Sequence, residues 1–460
     1  MSFDPHIAER RFGYGLSPDL AAPAGIDQML QGLAGPDDAV ETFPIPPFEH
    51  LQDALVLRRR FAGYARERGD TPEGKEAHEK SRKVVRQIRD ERDQWFIHML
   101  LRQTRAPNAF RERLVAFWAD HLTAAGTQDL LRAGGPIYVD EAIRPHIAGN
   151  FADLLTAAIT HPLMLHYLDQ NLSAGPGSRA AKRRRRPLGL NENLARELLE
   201  LHTLGVDGPY NQTDVRELAE LLTGMSATRN YSFKFRNRMV EPGTETVLGK
   251  TYGPRAGMDP IRAVLRDLAV HPVTARHLAT KLAVHFISDT PPAEVIAAIE
   301  QAYLRTDGDL MACYAALLEH PDAWSPEARN IRPPMEFMAA CLRSLNLPAA
   351  TLQALEKKDI LQIFFDPLEL MGQNWARPAG PDGLAEEDDA WITPQGISAR
   401  MEWTMQVPAR LMENLPDPRA FVRTALGENI PPAVAVAAAA AESRAVAIGL
   451  ILSSPAFQRR

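Results

Sequence analysis

Cysteine is scarce: Cys313 and Cys341 are the only two in 460 residues. They are too far apart for a Cys-x-x-Cys site and too few for a disulfide framework or a thiolate-only zinc site. We therefore expect two small buried hydrophobes rather than the ends of a single bridge. No run approaches the ~18 consecutive apolar residues that a membrane-spanning helix needs, so no membrane insertion is expected. Positive charge is not in excess either. The formal charge is -6 and the pI near 6.1, which gives no global attraction for nucleic acid or anionic lipid; such binding would need a local basic cluster. No nucleic-acid partner is expected. Hydrophobic residues at 45% and charged residues at 24% are those of an ordinary folded protein. At about 100–200 residues per domain, the length admits one large domain or two to three smaller ones.

Several signatures of known chemistry are missing too. Gly243 and Gly249-Lys250-Thr251 enclose five residues where a phosphate-cradling loop needs four, and Tyr252-Gly253-Pro254 follows instead of a helix. Gly13-Tyr14-Gly15 lacks the third glycine of a dinucleotide fingerprint and reads as a turn. There is no Gly-x-Ser-x-Gly elbow, and no histidine has glutamate three positions before it, which removes the di-iron bundle pair. Arg10-Arg11-Phe12 has the look of a twin-arginine export signal, but Gly13, Gly15, Pro18 and Asp19 stand where its apolar segment should begin. The expectation is a cytoplasmic protein.

What is present is helical periodicity. Apolar residues recur at helix spacing over most of the chain, with Pro and Gly between segments, which predicts an all-α, mainly helical fold. Residues 49–104 read as a long helical hairpin broken near Gly69 to Gly74. Further helices are expected at 107–124, 136–147, 150–159, 161–170, 190–204 and 211–223. Tyr231 to Phe235 alternates at period two and is followed after Pro242-Gly243 by Thr244 to Leu248, a minor β-hairpin around 231–250. The expected organisation is an N-terminal helical lobe (1–228), a hairpin excursion (229–258) and a C-terminal helical lobe (259–460). Residues 374–394, rich in Pro, Gly and charge, are expected to be irregular.

The densest set of functional groups is Asn191 to Val206. At about 100° per residue, Asn193, Glu197 and Glu200 share one helix face, beside an apolar stripe of Leu194, Leu198 and Leu201. Two carboxylates so spaced can share one cation; His202, about 140° round, needs another partner or an end unwound at Gly205. The plainer reading pairs Arg196 with Glu200, caps the helix with Asn191 or Asn193 and ends it at Gly205. This run, with Thr213-Asp214-Val215 and Leu221-x-Thr223-Gly224, resembles the signature of the domain-of-unknown-function 1800 family. So do Arg11-Phe12-Gly13-Tyr14-Gly15, Phe117-Trp118-Ala119-Asp120-His121, Leu248-Gly249-Lys250, His271-Pro272 and Ala275-Arg276-His277. The resemblance covers nearly the whole chain. It implies a large helical domain of a bacterial family, many of whose members carry an export signal, and a partner of the alkaline-phosphatase-like family encoded beside relatives. It carries over no activity.

Other candidates are fewer. His121 shares a helix face with Leu114, Phe117 and Trp118, as a satisfied core histidine or an inward ligand. His277, Lys281 and His285 line up at i, i+4 and i+8, and we expect an exposed basic stripe rather than inward groups. His166 and Asp169, three apart, are placed to orient one another. His202-Thr203-Leu204-Gly205 resembles the proximal segment of plant-type haem peroxidases, but no distal helix accompanies it, and haem is not expected. The Lys182 to Arg186 run reads as a solvated loop. Two expectations stay open. One is a hydrolytic or oxidative enzyme with catalytic Glu197 and His202 and a divalent metal ion held by Glu197, Glu200, His202 and His121. The other is a non-catalytic scaffold or partner subunit in which Arg196, Glu197 and Glu200 form an ion-pair network.

Overall fold

A computed structural model describes residues 2–127, 129–183, 189–327 and 330–460. It is mainly α-helical, with two small two-stranded sheets. The charged stretch after Pro47 forms the expected antiparallel hairpin, Phe48–Arg68 and Pro72–Arg105. Its break is chemical: Gly69 takes the left-handed φ of 56° that ends the first helix. Thr71 then accepts from the Gly74 amide and Pro72 starts the second. A related device recurs. At His161-Pro162, His271-Pro272 and His320-Pro321 the imidazole Nδ1 accepts the amide of the second residue after it, so the ring caps the helix that its proline begins.

The strands pair differently from the expectation. β1 (Met225–Ala227) pairs with β2 (Phe233–Phe235), and β3 (Glu245–Val247) with β4 (Lys250–Tyr252), both antiparallel. The alternating segment 231–235 thus pairs backward to residues at the end of a helical run, and 244–248 pairs forward across Leu248-Gly249, both at positive φ. Lys250 lies in β4 and pairs with Asp267 at 2.6 Å, in keeping with the excluded phosphate loop.

Apolar packing divides at a different place from the hairpin excursion. One core runs from Ala8 to Trp324 and takes in Val247 and Tyr252 from the 229–258 segment. A second gathers Tyr14, Phe43 and the residues from Met335 to Phe457. The Pro72–Arg105 helix serves both, giving Val84, Ile88 and Trp95 to the first and Phe96, Ile97, Leu100 and Leu101 to the second. Buried ion pairs cross between the two, Arg343 with Glu9 at 2.8 Å and Glu336 with Arg113, while Arg332 joins Glu336 from one turn away at 3.1 Å. Both cysteines are free and buried. Arg11, one of the two arginines near the start, is buried and donates to the carbonyls of Ala323, Ser325 and Glu327. No helix among the described residues is long and apolar enough to cross a membrane.

Residues 373–387 run as an irregular strap before a short 3-10 turn, Asp388–Trp391. Trp375 stacks on Phe365 with centroids 5.2 Å apart, the Met335 amide donates to Gln373 at 2.7 Å, and Asp388 takes Arg459 at 3.0 Å. The strap is fixed at both ends, across the end of the Ala109–His121 helix.

Candidate active site

The expected 190–204 helix is α-helical only over Asn193–Glu197; Leu198–Thr203 continues as a π-helix. The Leu204 amide reaches back five residues to the Leu199 carbonyl at 3.0 Å, and the Thr203 hydroxyl donates to the Leu198 carbonyl at 2.6 Å. The last carbonyls of any helix lack intrahelical partners, and here histidines supply them. His277 Nε2 donates to the Leu201 carbonyl at 3.1 Å and His121 Nε2 to that of His202 at 3.2 Å. In return His202 Nδ1 donates to the His121 carbonyl at 3.0 Å. Because a carbonyl can only accept, both tautomers are fixed, leaving His121 Nδ1 and His202 Nε2 buried without a partner among the described residues. Burial, with Lys281 nearby, holds His121 well below the usual histidine value, and burial takes His202 down to about 4. Both rings are neutral.

This arrangement brings His121 and His202 together, with ring centroids 6.0 Å apart, and parts Glu197 and Glu200 from them. The wider turn puts His202 wholly inside, whereas Glu200 reaches out to Arg196 at 3.1 Å and Glu197 stays half-buried on the flank. Among the described residues no three His, Cys, Asp or Glu side chains gather as a metal-binding group. Arg196 also meets Glu192 at 3.5 Å and Gln212 at 3.0 Å, the i, i+4 pairing of the plainer reading. Asn193 is exposed and its amide donates to the Asn191 side chain at 2.8 Å. His166 and Asp169 share no side-chain hydrogen bond among the described residues; Asp169 turns to φ 54° and ends its helix, while the His166 ring packs on Tyr231 at 4.9 Å. Lys182 is exposed on a short helix, Arg179–Arg183, and Arg184 to Arg186 lie outside the described residues.

His277, Lys281 and His285 are not an exposed stripe. All three are half-buried and face inward, because their helix, Pro272–Phe286, packs against the π-turn on one side and the strap on the other. His285 Nε2 accepts from Arg113 at 2.9 Å while its Nδ1 donates to Glu386 of the strap at 2.9 Å. Burial pushes Glu386 upward, but His285, Lys281 and Arg113 outweigh it and hold the carboxyl below its ordinary value.

The same strap meets a residue that spacing did not single out. Asp120, beside His121 at the end of the Ala109–His121 helix, accepts the Leu384 amide on Oδ1 at 2.9 Å. Gly383, at φ 80°, lies flat against it; a Cβ there would stand 2.6 Å from Asp120 Oδ2, so only glycine fits. Burial first, then the neighbouring Glu386 carboxylate, raises Asp120 to about 7 against the pull of the Leu384 amide and Lys281. Its side chain borders a cavity of about 230 Å³ walled by Ala116, Ala119, Tyr138, Val139, Trp375 and Leu384, where it is the only carboxylate among the lining residues. Gln103, also in that wall and 8% exposed, has a side-chain oxygen without a partner among the described residues. Beyond the strap, Glu197 has no bonded partner among the described residues; burial, Glu200 and Asp382 raise it.

Three segments far apart in sequence thus close on one place: the end of the 109–121 helix, the π-turn and the Pro272–Phe286 helix. They are the stretches quoted for the family resemblance, and the family model described as Protein of unknown function (DUF1800) matches residues 7–459. The chain belongs to the DUF1800 family. No curated protein and no solved structure matches it. Within this DUF1800 chain the signature histidines bind backbone carbonyls, and the acidic groups Asp120 and Glu386 meet one layer further out, at the strap. Only the string Phe117 to His121 pointed to Asp120 beforehand.

Proposed function

We propose that this chain is an enzyme of the acid–base hydrolytic class, with Asp120 as its proton-transfer group and the adjoining cavity as its substrate pocket. The observation that carries this reading is a carboxyl raised to about 7 on the wall of a largely apolar cavity. Near neutral pH such a group is divided between both forms, as a general base must be. In its charged form Asp120 takes a proton from a water molecule that adds to an acyl carbon, and the protonated form returns it to the leaving group. Arg132, in the same cavity wall, supplies the positive charge for a developing oxyanion. The unpartnered Gln103 oxygen accepts a donor of the substrate, and the apolar walls select small, mainly apolar acyl compounds.

In this reading His121, His202 and His277 are positioning residues. The His202 bond to the His121 carbonyl fixes the peptide next to Asp120, so the π-turn sets where that carboxyl stands. Hydrolysis of a panel of small aryl esters and amides tests the proposal: Asp120→Asn should lose roughly a hundredfold or more of the activity. Equal rates in both proteins overturn it. Elemental analysis separates it from the metal-dependent alternative, because a near-stoichiometric ion lost with Glu197→Gln would move the centre from Asp120 to the Glu197 flank.

A further inference from the structure

A second concave site shares no residue with the Asp120 cavity. The β1–β2 hairpin, the Arg179–Arg183 helix and the Asn237–Met239 turn border a half-open hollow of about 540 Å³. Arg179, Arg229, Arg236 and Arg238 line it, and no carboxylate among the described residues does. None of the four has an ion-pair partner among the described residues. In a chain of net charge -6, four unneutralised guanidinium groups in one hollow repel each other and concentrate a positive field there. Arg236 is held in place: Nε donates to the Ser226 hydroxyl at 3.1 Å and Nη2 to the Ala227 carbonyl at 2.6 Å. Ser226 is fixed in turn by donating to the Asn171 carbonyl at 2.9 Å. Such a fixed fork matches phosphate oxygens with little ordering to do on binding. The Asn171 side-chain oxygen, buried in the same wall, has no partner among the described residues, and an acceptor so placed suits a hydroxyl rather than another anion.

We propose that this hollow binds a small phosphate ester bearing a free hydroxyl, the phosphate on Arg236, Arg179 and Arg238 and the hydroxyl on Asn171. The hollow is a half-open pocket rather than a continuous basic track, which favours a small molecule over a polymer. The test is isothermal calorimetry of the full chain with glycerol phosphate, inorganic phosphate and a single-stranded RNA oligomer, at matched ionic strength. The variant is Arg179→Gln with Arg238→Gln, two exposed side chains whose loss should leave the melting temperature of the free protein unchanged. Wild type should bind glycerol phosphate more tightly than inorganic phosphate, and the double variant roughly tenfold or more weakly. Asn171→Leu should remove the preference for the ester while keeping inorganic phosphate. Equal binding by wild type and double variant overturns the site. RNA binding that exceeds that of the ester and is lost in the double variant overturns the small-molecule assignment in favour of a nucleic-acid surface.

Discussion

At the scale of single residues, Asp120 and the His121–His202 pair leave opposite signatures in stability. Asp120 rises from 3.8 to about 7 on folding, so the folded state holds its proton more tightly. That contribution is fully present below 3.8 and is lost as pH rises through 7. Asp120→Asn should therefore remove this alkaline decline and melt several degrees above wild type at pH 8, even though it stops proton transfer. His202 falls from 6.5 to about 4. Its contribution is present above 6.5 and is lost as pH drops towards 4, a change of about 3 kcal/mol from the one wholly buried ring. Urea midpoints taken across that interval should fall with acid more steeply in Asp120→Asn than in wild type, since the opposing Asp120 slope is gone. A flat profile in the variant would contradict neutral buried imidazoles.

At the scale of elements, the π-turn is what makes the signature segment unlike an ordinary amphipathic helix. An α-helical continuation would have kept Glu197, Glu200 and His202 at the angles read from the sequence. The wider turn moves His202 into the core and opens the Leu201 and His202 carbonyls to other helices. The turn ends at Gly205, whose φ is 84° and whose missing Cβ would stand 3.1 Å from His277 Nδ1. Gly205→Ala should cost about 1–2 kcal/mol in backbone strain and loosen the His277 cap, seen as faster amide exchange over Leu198–Leu204. The β1–β2 hairpin makes a similar point. Its alternating strand was legible, but its partner, Met225–Ala227, is fully buried and carries no alternation, so local pattern held no information on pairing.

At the scale of the whole molecule, two apolar cores are joined by a shared helix and by buried charge. Glu336, 5% exposed, receives Arg113 and Arg332 and has Arg460 Nε at 3.5 Å. Arg343, 1% exposed, ties Glu9 to the carbonyls of Gly15, Thr104 and Ala106. Removing one member of such a cluster leaves the others charged in a dry place. Glu336→Gln should therefore destabilise by about 3–5 kcal/mol, and tryptophan fluorescence and circular dichroism should then report separate transitions for the two cores. A single unshifted transition would mean that apolar packing alone couples them. Because Glu336 contacts Arg113, which donates to His285, the same variant should also disturb the strap over Asp120.

The sequence by itself determined the helical class, the long hairpin and its break at Gly69 to Gly74, the buried free cysteines and the irregular strap. Each follows from local chemistry: periodicity, caps, glycine and proline placement, and the lack of companions for a lone thiol. It also marked the Asn191 to Val206 segment as distinctive. Only the tertiary structure decided what that segment does. The π-turn forms where His121 and His277 reach its end carbonyls, from more than seventy residues away in either direction. Asp120 becomes unusual only under Leu384 and Glu386, more than two hundred and sixty residues later. A carboxyl's proton affinity is set by the water it loses and the charges it meets, and neither is written in the residues beside it.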